Sequence, residues 1–407
     1  MVNIIVQKYG GTSLSNEEKI LNVANKIKES LSFIDKLIVV VSAMGNSTDN
    51  LVKLGSEFLD DQSDLENLRD FDQLLSTGEI VSASLVSLAL RKIGVKSISL
   101  SGSKAGINTN SLHGSARISS INTELIFEQF ESKDVIIVAG FQGVSESGET
   151  TTLGRGGSDT SAVALASAMN AERCEIYTDV DGIFSADPRI VPNSKLIEYI
   201  SYEEMLEMAS LGAKMHPRSI EIAAINEVPM TIKHSERNTK GTILRKESEK
   251  NMEIRNAVTG IPTSKGVSKI TLNNIKDKPG IASSIFEPLS SIGINVDVIV
   301  QTASSEGTTN LSFTLDDKDL KSCLKELIKS NVTNKDNIQT QSSLGKVSIV
   351  GTGIQNQPGY ASRMFKALSD KKINIEMITT SEIRITCIIK ESDLEKAAKS
   401  LHKEFIN

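Results

Sequence analysis

Tryptophan is absent from the 407 residues and aromatic side chains make up only 4% of them, so stacking on nucleobases is not a theme of this chain. Cysteine is scarce too. Cys174, Cys323 and Cys387 are odd in number, far apart and without a CxxC spacing, which excludes a disulfide framework and a cysteine zinc site and leads us to expect a cytoplasmic protein. His113, His216, His234 and His402 are equally scattered, so no metal ligand is assigned. No apolar run approaches ~20 residues and no signal-like start opens the chain, so neither a membrane span nor a secretory signal is expected. The net charge of -6 argues against a nucleic-acid carrier and says nothing about fold. What remains is an ordinary soluble composition, 39% hydrophobic and 24% charged, on a chain long enough for two or three domains.

The most informative stretch is Thr152-Leu-Gly-Arg-Gly-Gly-Ser-Asp-Thr160. Before it, Val135 to Phe141 is continuously apolar and reads as a buried parallel strand. After it, Ser161 to Ala168 reads as a helix of small residues, with Ser158, Asp159 and Thr160 as candidate N-caps. A helix N-terminus behind a glycine turn favours an anion. Arg155 adds a planar, permanently charged fork suited to carboxylate or phosphate.

The same order of strand, polar glycine loop and helix recurs along the chain. Val2 to Val6 reads as a strand running into Lys8-Tyr-Gly-Gly-Thr-Ser13, and Ser15 with Glu18 reads as a capping box for a helix carrying Ile20, Val23, Ala24, Ile27 and Leu31. Lys36 to Ser42 is a second buried strand, followed by Ala43 to Asp49 and another helix. Ser76 to Glu79 opens a long helix to about Leu90, and Val95 to Leu100 reads as a strand. Cys174 to Asp179 is a further strand, closing in Val180 to Pro188. The alternation predicts an α/β unit with a mainly parallel sheet and ligands beyond the strands' carboxyl ends.

Between about Lys240 and Ile254 the periodicity fades into charge, which marks a boundary. Beyond it lies a repeat. Pro279-Gly-Ile-Ala-Ser-Ser-Ile-Phe matches Pro358-Gly-Tyr-Ala-Ser-Arg-Met-Phe, and Ile294-Asn-Val-Asp matches Ile373-Asn-Ile-Glu, both at an offset of 79 residues. That period is too long for a solenoid unit, so a module is duplicated. Each copy reads strand (Lys269 to Leu272; Lys346 to Val350), Pro-Gly turn, helix, Asn turn and strand, a ferredoxin-like α+β order. Gly351-Thr-Gly353 does not extend to GxGxxG because Asn356 interrupts it. A Walker A motif is likewise absent from the sequence.

Lys8 to Ser13, Ser42 to Asp49, Thr152 to Asp159, Thr178-Asp-Val-Asp-Gly182 with Asp187-Pro-Arg189, and Lys214-Met-His-Pro-Arg-Ser219 together closely resemble the aspartate kinase family, in its monofunctional form with tandem C-terminal ACT modules. The resemblance covers nearly the whole chain in order. It implies an amino-acid-kinase αβα sandwich at 1–245, a linker at 246–263, and ferredoxin-like ACT modules at 264–340 and 341–407 with interleaved ends. The implied activity is γ-phosphoryl transfer from ATP, with nucleotide-bound Mg²⁺, to the β-carboxylate of L-aspartate, under feedback by lysine or threonine. Another amino-acid kinase and a non-catalytic amino-acid sensor are the alternatives.

By the same resemblance, Lys8 is the catalytic cation and Asp159 orients it. Arg155 grips the substrate's α-carboxylate, Glu79 faces its ammonium, and Ser42, Thr48 and Ser158 donate hydrogen bonds. Lys8, Tyr9, Gly10, Gly11, Thr178, Asp179, Phe184, Arg189 and Lys214 match ATP-contacting positions, Phe184 standing where many relatives carry Tyr. Asp277, Gly280, Ile281, Ala282, Asn295 and Asp297 in the first module, and Asn374, Ile375, Thr380 and Ser381 in the second, match effector-binding segments. A homo-oligomer through the ACT modules is implied, or a complex with a regulatory subunit started at Met252.

Overall fold

The computed structural model describes residues 2–58, 65–246, 257–303, 307–330, 334–354 and 358–406; Met252 and Asn356 lie outside them. The chain divides into two units, Met1–Phe184 with Leu196–Glu253, and Ser185–Lys195 with Ile254–Asn407.

In the first unit the order is β1 (Ile4–Tyr9), α1 (Glu17–Ser30), β2 (Lys36–Val41), α2 (Ser47–Ser56), α3 (Leu65–Lys92), β3 (Ser97–Leu100), β4 (Ile107–Thr109), β5 (Ile118–Ile121) and α4 (Glu124–Phe130). It continues with β6 (Val135–Ala139), β7 (Gln142–Ser145), β8 (Thr150–Thr152), α5 (Gly157–Ala168), β9 (Cys174–Thr178), β10 (Tyr199–Ile200), α6 (Tyr202–Ser210), α7 (Pro217–Ile225), β11 (Met230–His234) and β12 (Thr242–Leu244). Among the described residues the main sheet has the order β10-β12-β11-β9-β1-β2-β6-β3, parallel except for the β11–β12 pair. Its central strands are apolar on both faces, as strands covered on both sides must be. Ile5, Tyr9, Leu37, Val39, Val41, Ile137 and Ala139 share a core with residues of α1 and α3. The alternate residues Val6, Ile38, Val40, Ile136 and Val138 are buried on the other face, where α5 packs. A small second sheet, β5-β4-β7-β8, occupies what the sequence presents only as polar connections.

Three local expectations change. Asn16, not Ser15, caps α1, its side chain accepting from the Lys19 N–H at 2.9 Å. The helix expected from Ser76 begins at Leu65, because Leu75 and buried Asp72 extend its inward face. It is long and apolar enough in composition to cross a membrane. Yet Leu75, Ala83, Val86 and Leu90 are buried inside the unit, as in a core helix. Finally, α5 starts at Gly157 behind Gly156 at φ 69°, so Ser158, Asp159 and Thr160 sit in its first turn and do not cap it. The hydroxyls of Thr160 and Ser161 confirm this by donating back to the Gly156 and Gly157 carbonyls at 3.0 Å.

The second unit contains β13 (Thr263–Lys276), α8 (Ile281–Ser291), β14 (Ile299–Ala303), β15 (Thr308–Asp316), α9 (Leu320–Lys329), β16 (Ile338–Val350), α10 (Tyr360–Ser369), β17 (Met377–Thr380), β18 (Arg384–Lys390) and α11 (Leu394–Phe405). One antiparallel sheet, β14-β15-β13-β16-β18-β17, runs through both repeats. Strands β13 and β16 each serve both copies. The later part of β13 pairs with β15 while its start, Thr263 and Ser264, pairs with Val347 and Lys346, inside the half of β16 that pairs with β18. Ser185–Lys195 leaves the first unit's chain course to join this one. Ala186 and Val191 enter the core of α10 and α11, the Ser185 Oγ lies 2.9 Å from His402 Nε2, and the Lys195 ammonium donates to the Ile406 carbonyl at 2.7 Å.

Candidate active site

The glycine loops of the first unit leave from the carboxyl ends of β9, β1, β2 and β6, side by side in the sheet. Lys8 is on β1 itself, not on the loop that follows, paired in register with Ile176 and Val40. Strand alternation turns it away from the face of Ile5 and Tyr9 and toward α5. There its Nζ lies 2.6 Å from Asp159 Oδ1, with the two side chains only 12% and 15% exposed. Such shielding from water makes the pair far less screened than a surface ion pair.

Glu79, on α3, is the second charged group of this region. It is 3% exposed, and its Oε1 accepts from the Ala43 N–H at 3.1 Å just past β2. Its Oε2 has no hydrogen-bond partner among the described residues. Burial pushes its pKa up to about 7, against the pull of the Ala43 and Glu79 amides and of Lys8. A buried carboxylate with one oxygen unsatisfied is a costly group whose natural complement is a cation.

Arg155 is exposed on the turn between β8 and α5, Ser158 is buried, and Ser42 and Thr48 are half-buried. Ser42 donates its N–H to the Tyr9 carbonyl at 3.1 Å, leaving its hydroxyl as the group a ligand could use. A Cβ on Gly140 would lie 2.9 Å from the Ser158 Cβ, which shows how closely α5 abuts the end of β6.

Two of the nucleotide positions are restricted by their surroundings. The Tyr9 ring is wholly buried, stacked on Tyr177 with centroids 4.7 Å apart, so only its backbone can meet a ligand. The Gly10 N–H donates to the Tyr177 carbonyl at 3.3 Å and is therefore not free for a phosphate. Gly11 is required where it stands, since a Cβ would come within 2.5 Å of the Ala43 carbonyl oxygen. Thr178 ends β9, and Asp179 accepts from Lys214 Nζ at 2.8 Å. That hydrogen bond holds the Asp179 carboxyl below its usual range. Phe184 is half-buried, bridged to Leu196. Arg189 belongs to the second unit, its guanidinium 88% exposed and 2.7 Å from Asp187.

In the second unit, Gly280 and Gly359 precede α8 and α10 at equivalent points of the repeat, with φ of 89° and 104°. Asp277, Asn295 and Asp297 are exposed, Ala282 is half-buried and Ile281 is buried in the module core. Asp297 pairs with Lys346. Asn374 donates to Glu376 Oε1 at 3.1 Å, Ile375 packs against the second module's core, and Thr380 and Ser381 are exposed at the end of β17.

Sequence reasoning passed over a set of polar groups that hold these elements. Glu175, 3% exposed, accepts from Gln7 at 2.9 Å, Tyr177 at 3.0 Å, Arg173 at 3.0 Å and Lys233 at 3.3 Å. Burial raises its pKa, but Lys233 and Arg173 outweigh that and keep it below the usual value. Asp72 and Arg218 brace the Arg155 turn. Arg218 lies within the Lys214 to Ser219 motif, whereas Asp72 precedes the helix start that the sequence suggests at Ser76 and belongs to α3 only in the fold.

Residues 3–234 match the model of the amino acid kinase family, and residues 271–330 and 347–405 match the ACT domain. The chain is 44% identical over 405 residues to an aspartokinase of Geobacillus stearothermophilus, covering 99% of this chain and 97% of that protein. It is 43% identical over 408 residues to the aspartokinase of Corynebacterium glutamicum, covering 99% and 96%. Among solved structures, E. coli aspartokinase III in complex with aspartate and ADP (R-state) matches with a TM-score of 0.82 at 25% identity, covering all of both chains. The complex of that enzyme with lysine and aspartate (T-state) matches at 0.76 and 26%, covering 99% and 100%. With such identity along nearly its whole length, the chain belongs to the aspartokinase family and is an aspartate kinase made of an amino acid kinase domain and ACT domains.

Proposed function

We propose that this aspartate kinase transfers the γ-phosphoryl group of Mg–ATP to the β-carboxylate of L-aspartate, giving 4-phospho-L-aspartate, the entry step to lysine, threonine and methionine. The observation that carries the reading is the shielded Lys8–Asp159 pair at the end of β1. An oxygen of the β-carboxylate attacks the γ-phosphorus as the bond to the ADP oxygen breaks. The carboxylate, with an ordinary pKa of about 3.9, is already ionised at neutral pH, so no general base is needed. Catalysis is then positioning and charge stabilisation. Lys8, held by Asp159, neutralises charge on the transferred group, and Arg155 forks the α-carboxylate. The unsatisfied Oε2 of Glu79 receives the ammonium, with Ser42, Thr48 and Ser158 donating to the substrate.

Thr178, Asp179, Phe184, Lys214 and the backbone of Gly11 serve the nucleotide. Lys214 must exchange Asp179 for a phosphate. No group of three or more His, Cys, Asp or Glu side chains that could hold a metal ion occurs among the described residues, and Mg²⁺ enters held by the phosphates of ATP. The ACT modules bind lysine or threonine as inhibitors, through the residues around Asp277 to Asp297 and Asn374 to Ser381. The lysine bound with E. coli aspartokinase III in its T-state supports this.

Trapping the acyl phosphate with hydroxylamine tests the chemistry. Aspartyl hydroxamate should form only with ATP and aspartate, and less of it when lysine or threonine is added. Release of ADP with another amino acid but not aspartate would overturn the substrate. Lys8→Ala should lower kcat by at least ~10²-fold, the scale of losing one transition-state charge stabiliser.

A further inference from the structure

We infer that Asp72 and Arg218 are positioning residues for substrate recognition, a buried carboxylate and a half-buried guanidinium that together fix the turn carrying Arg155. The inference rests on the reading of Arg155 as the cation for the substrate's α-carboxylate. That turn cannot hold its own shape. Gly154 and Gly156 flank Arg155 at φ of 74° and 69°, conformations that glycine adopts but does not enforce. The constraint comes from outside.

Asp72 is wholly buried on α3. Its oxygens take the Thr152 N–H at 3.0 Å, the Thr152 hydroxyl, and the Gly114 N–H at 3.0 Å, and lie 2.9 Å from His113 Nδ1. Arg218, in the first turn of α7, donates from Nη1 to the Leu153 carbonyl at 2.6 Å and from Nη2 to the Ala116 carbonyl at 2.9 Å. The Thr152 carbonyl accepts from the Ala116 N–H at 2.8 Å, and the Leu153 N–H donates to the Phe141 carbonyl at 2.8 Å. Residues 152 and 153 are thus held by groups whose places are set by two helices, while Arg155, two residues on, is exposed to solvent.

The geometry also links the two ends of the substrate. Asp72 precedes Glu79 on α3 by two helical turns and lies on the same face. One helix therefore places the group that meets the ammonium and, through Thr152, the turn that meets the α-carboxylate. Both clamps use charge where simple packing would do for stability. A planar guanidinium presents its N–H donors in a fixed fork, where an ammonium is a rotatable point charge, and a carboxylate accepts at both oxygens, where an amide replaces one acceptor with a donor.

The test uses the full-length enzyme with Arg218→Lys, Arg218→Ala, Asp72→Asn, Arg155→Lys and the double variant Arg155→Lys/Arg218→Lys, each assayed well below its melting temperature. Arg218→Lys and Asp72→Asn should each raise KM for aspartate at least ~10-fold, about the low end of the effect of one lost charged hydrogen bond, with KM for ATP changed less than ~2-fold. The double variant should resemble Arg155→Lys alone, because residues acting through one another are not additive. Free guanidinium should restore aspartate affinity to Arg218→Ala.

Equal rises in both KM values in the clamp variants, an additive double variant, or no guanidinium rescue would overturn the inference while leaving Arg155 selective. If Arg155→Lys itself raises both KM values alike, the reading of Arg155 fails and the inference falls with it.

Discussion

Glu79 is the residue at which stability and function oppose each other most directly. Its folded pKa of about 7 lies above the ordinary value of 4.5, so the folded state holds the proton more tightly than the unfolded chain. The resulting stabilisation is fully present below about pH 4.5 and is lost as pH rises through about 7. The shift from 4.5 to about 7 corresponds to about 3 kcal/mol, at 1.36 kcal/mol per unit. Glu79→Gln, neutral at every pH and still able to accept from the Ala43 N–H, should therefore raise the melting temperature at pH 8 and change it little at pH 5. Thermal unfolding at the two pH values checks this, and a variant less stable at pH 8 would contradict it. An ammonium needs the charged form, so KM for aspartate should climb in the wild type as pH falls below about 7, and that dependence should vanish in the variant. The candidate status of Glu79 was legible from the resemblance; its raised pKa was not, because burial belongs to the fold.

Among elements, α5 shows most clearly what small residues are for. Its N-terminus must come close to the ends of β1 and β6 for Asp159 to reach Lys8, and Gly140, Gly156 and Gly157 make that approach possible. A Cβ on Gly156 would lie 2.3 Å from the His216 Cβ, and φ 69° is already unfavourable for other residues. Gly156→Ala should lower the melting temperature by several degrees, as a loss of about 1–2 kcal/mol does, and reduce kcat/KM more than stability alone explains. A variant as stable and active as wild type would show that α7 yields to the methyl group. The glycines and the helix were visible in the sequence. The capping residue was not, since Ser158, Asp159 and Thr160 all have side chains that suit a cap and only the turn geometry selects Gly156.

At the scale of the whole chain, the repeat marks two modules, the resemblance expects their ends to interleave, and β13 and β16 each pair with strands of both copies. A fragment cut at 264–340 would retain only the first three residues of β16, whose pairing with β13 extends from Ile338 to Val347. We expect that fragment to show no cooperative thermal transition by circular dichroism, and a sharp one would argue that β13 and β16 are dispensable to each other. The segment Ser185–Lys195 tells the same lesson, since its sequence continues the first unit while Ala186 and Val191 complete the core of the second.

Periodicity, glycine placement and the 79-residue repeat were enough for the parallel α/β class and the duplicated α+β tail, because these follow from local side-chain patterns, whereas the candidate site residues came from the resemblance to aspartate kinases. Tertiary structure alone decided what depends on distant partners. It set the ion pair between Lys8 and Asp159, the unsatisfied oxygen of Glu79, the loss of the Tyr9 ring to the core and the bracing of Arg155 by Asp72 and Arg218. Burial and charge pairing are properties of which surfaces meet, and residues as far apart as Lys8 and Asp159 carry no local mark of that meeting.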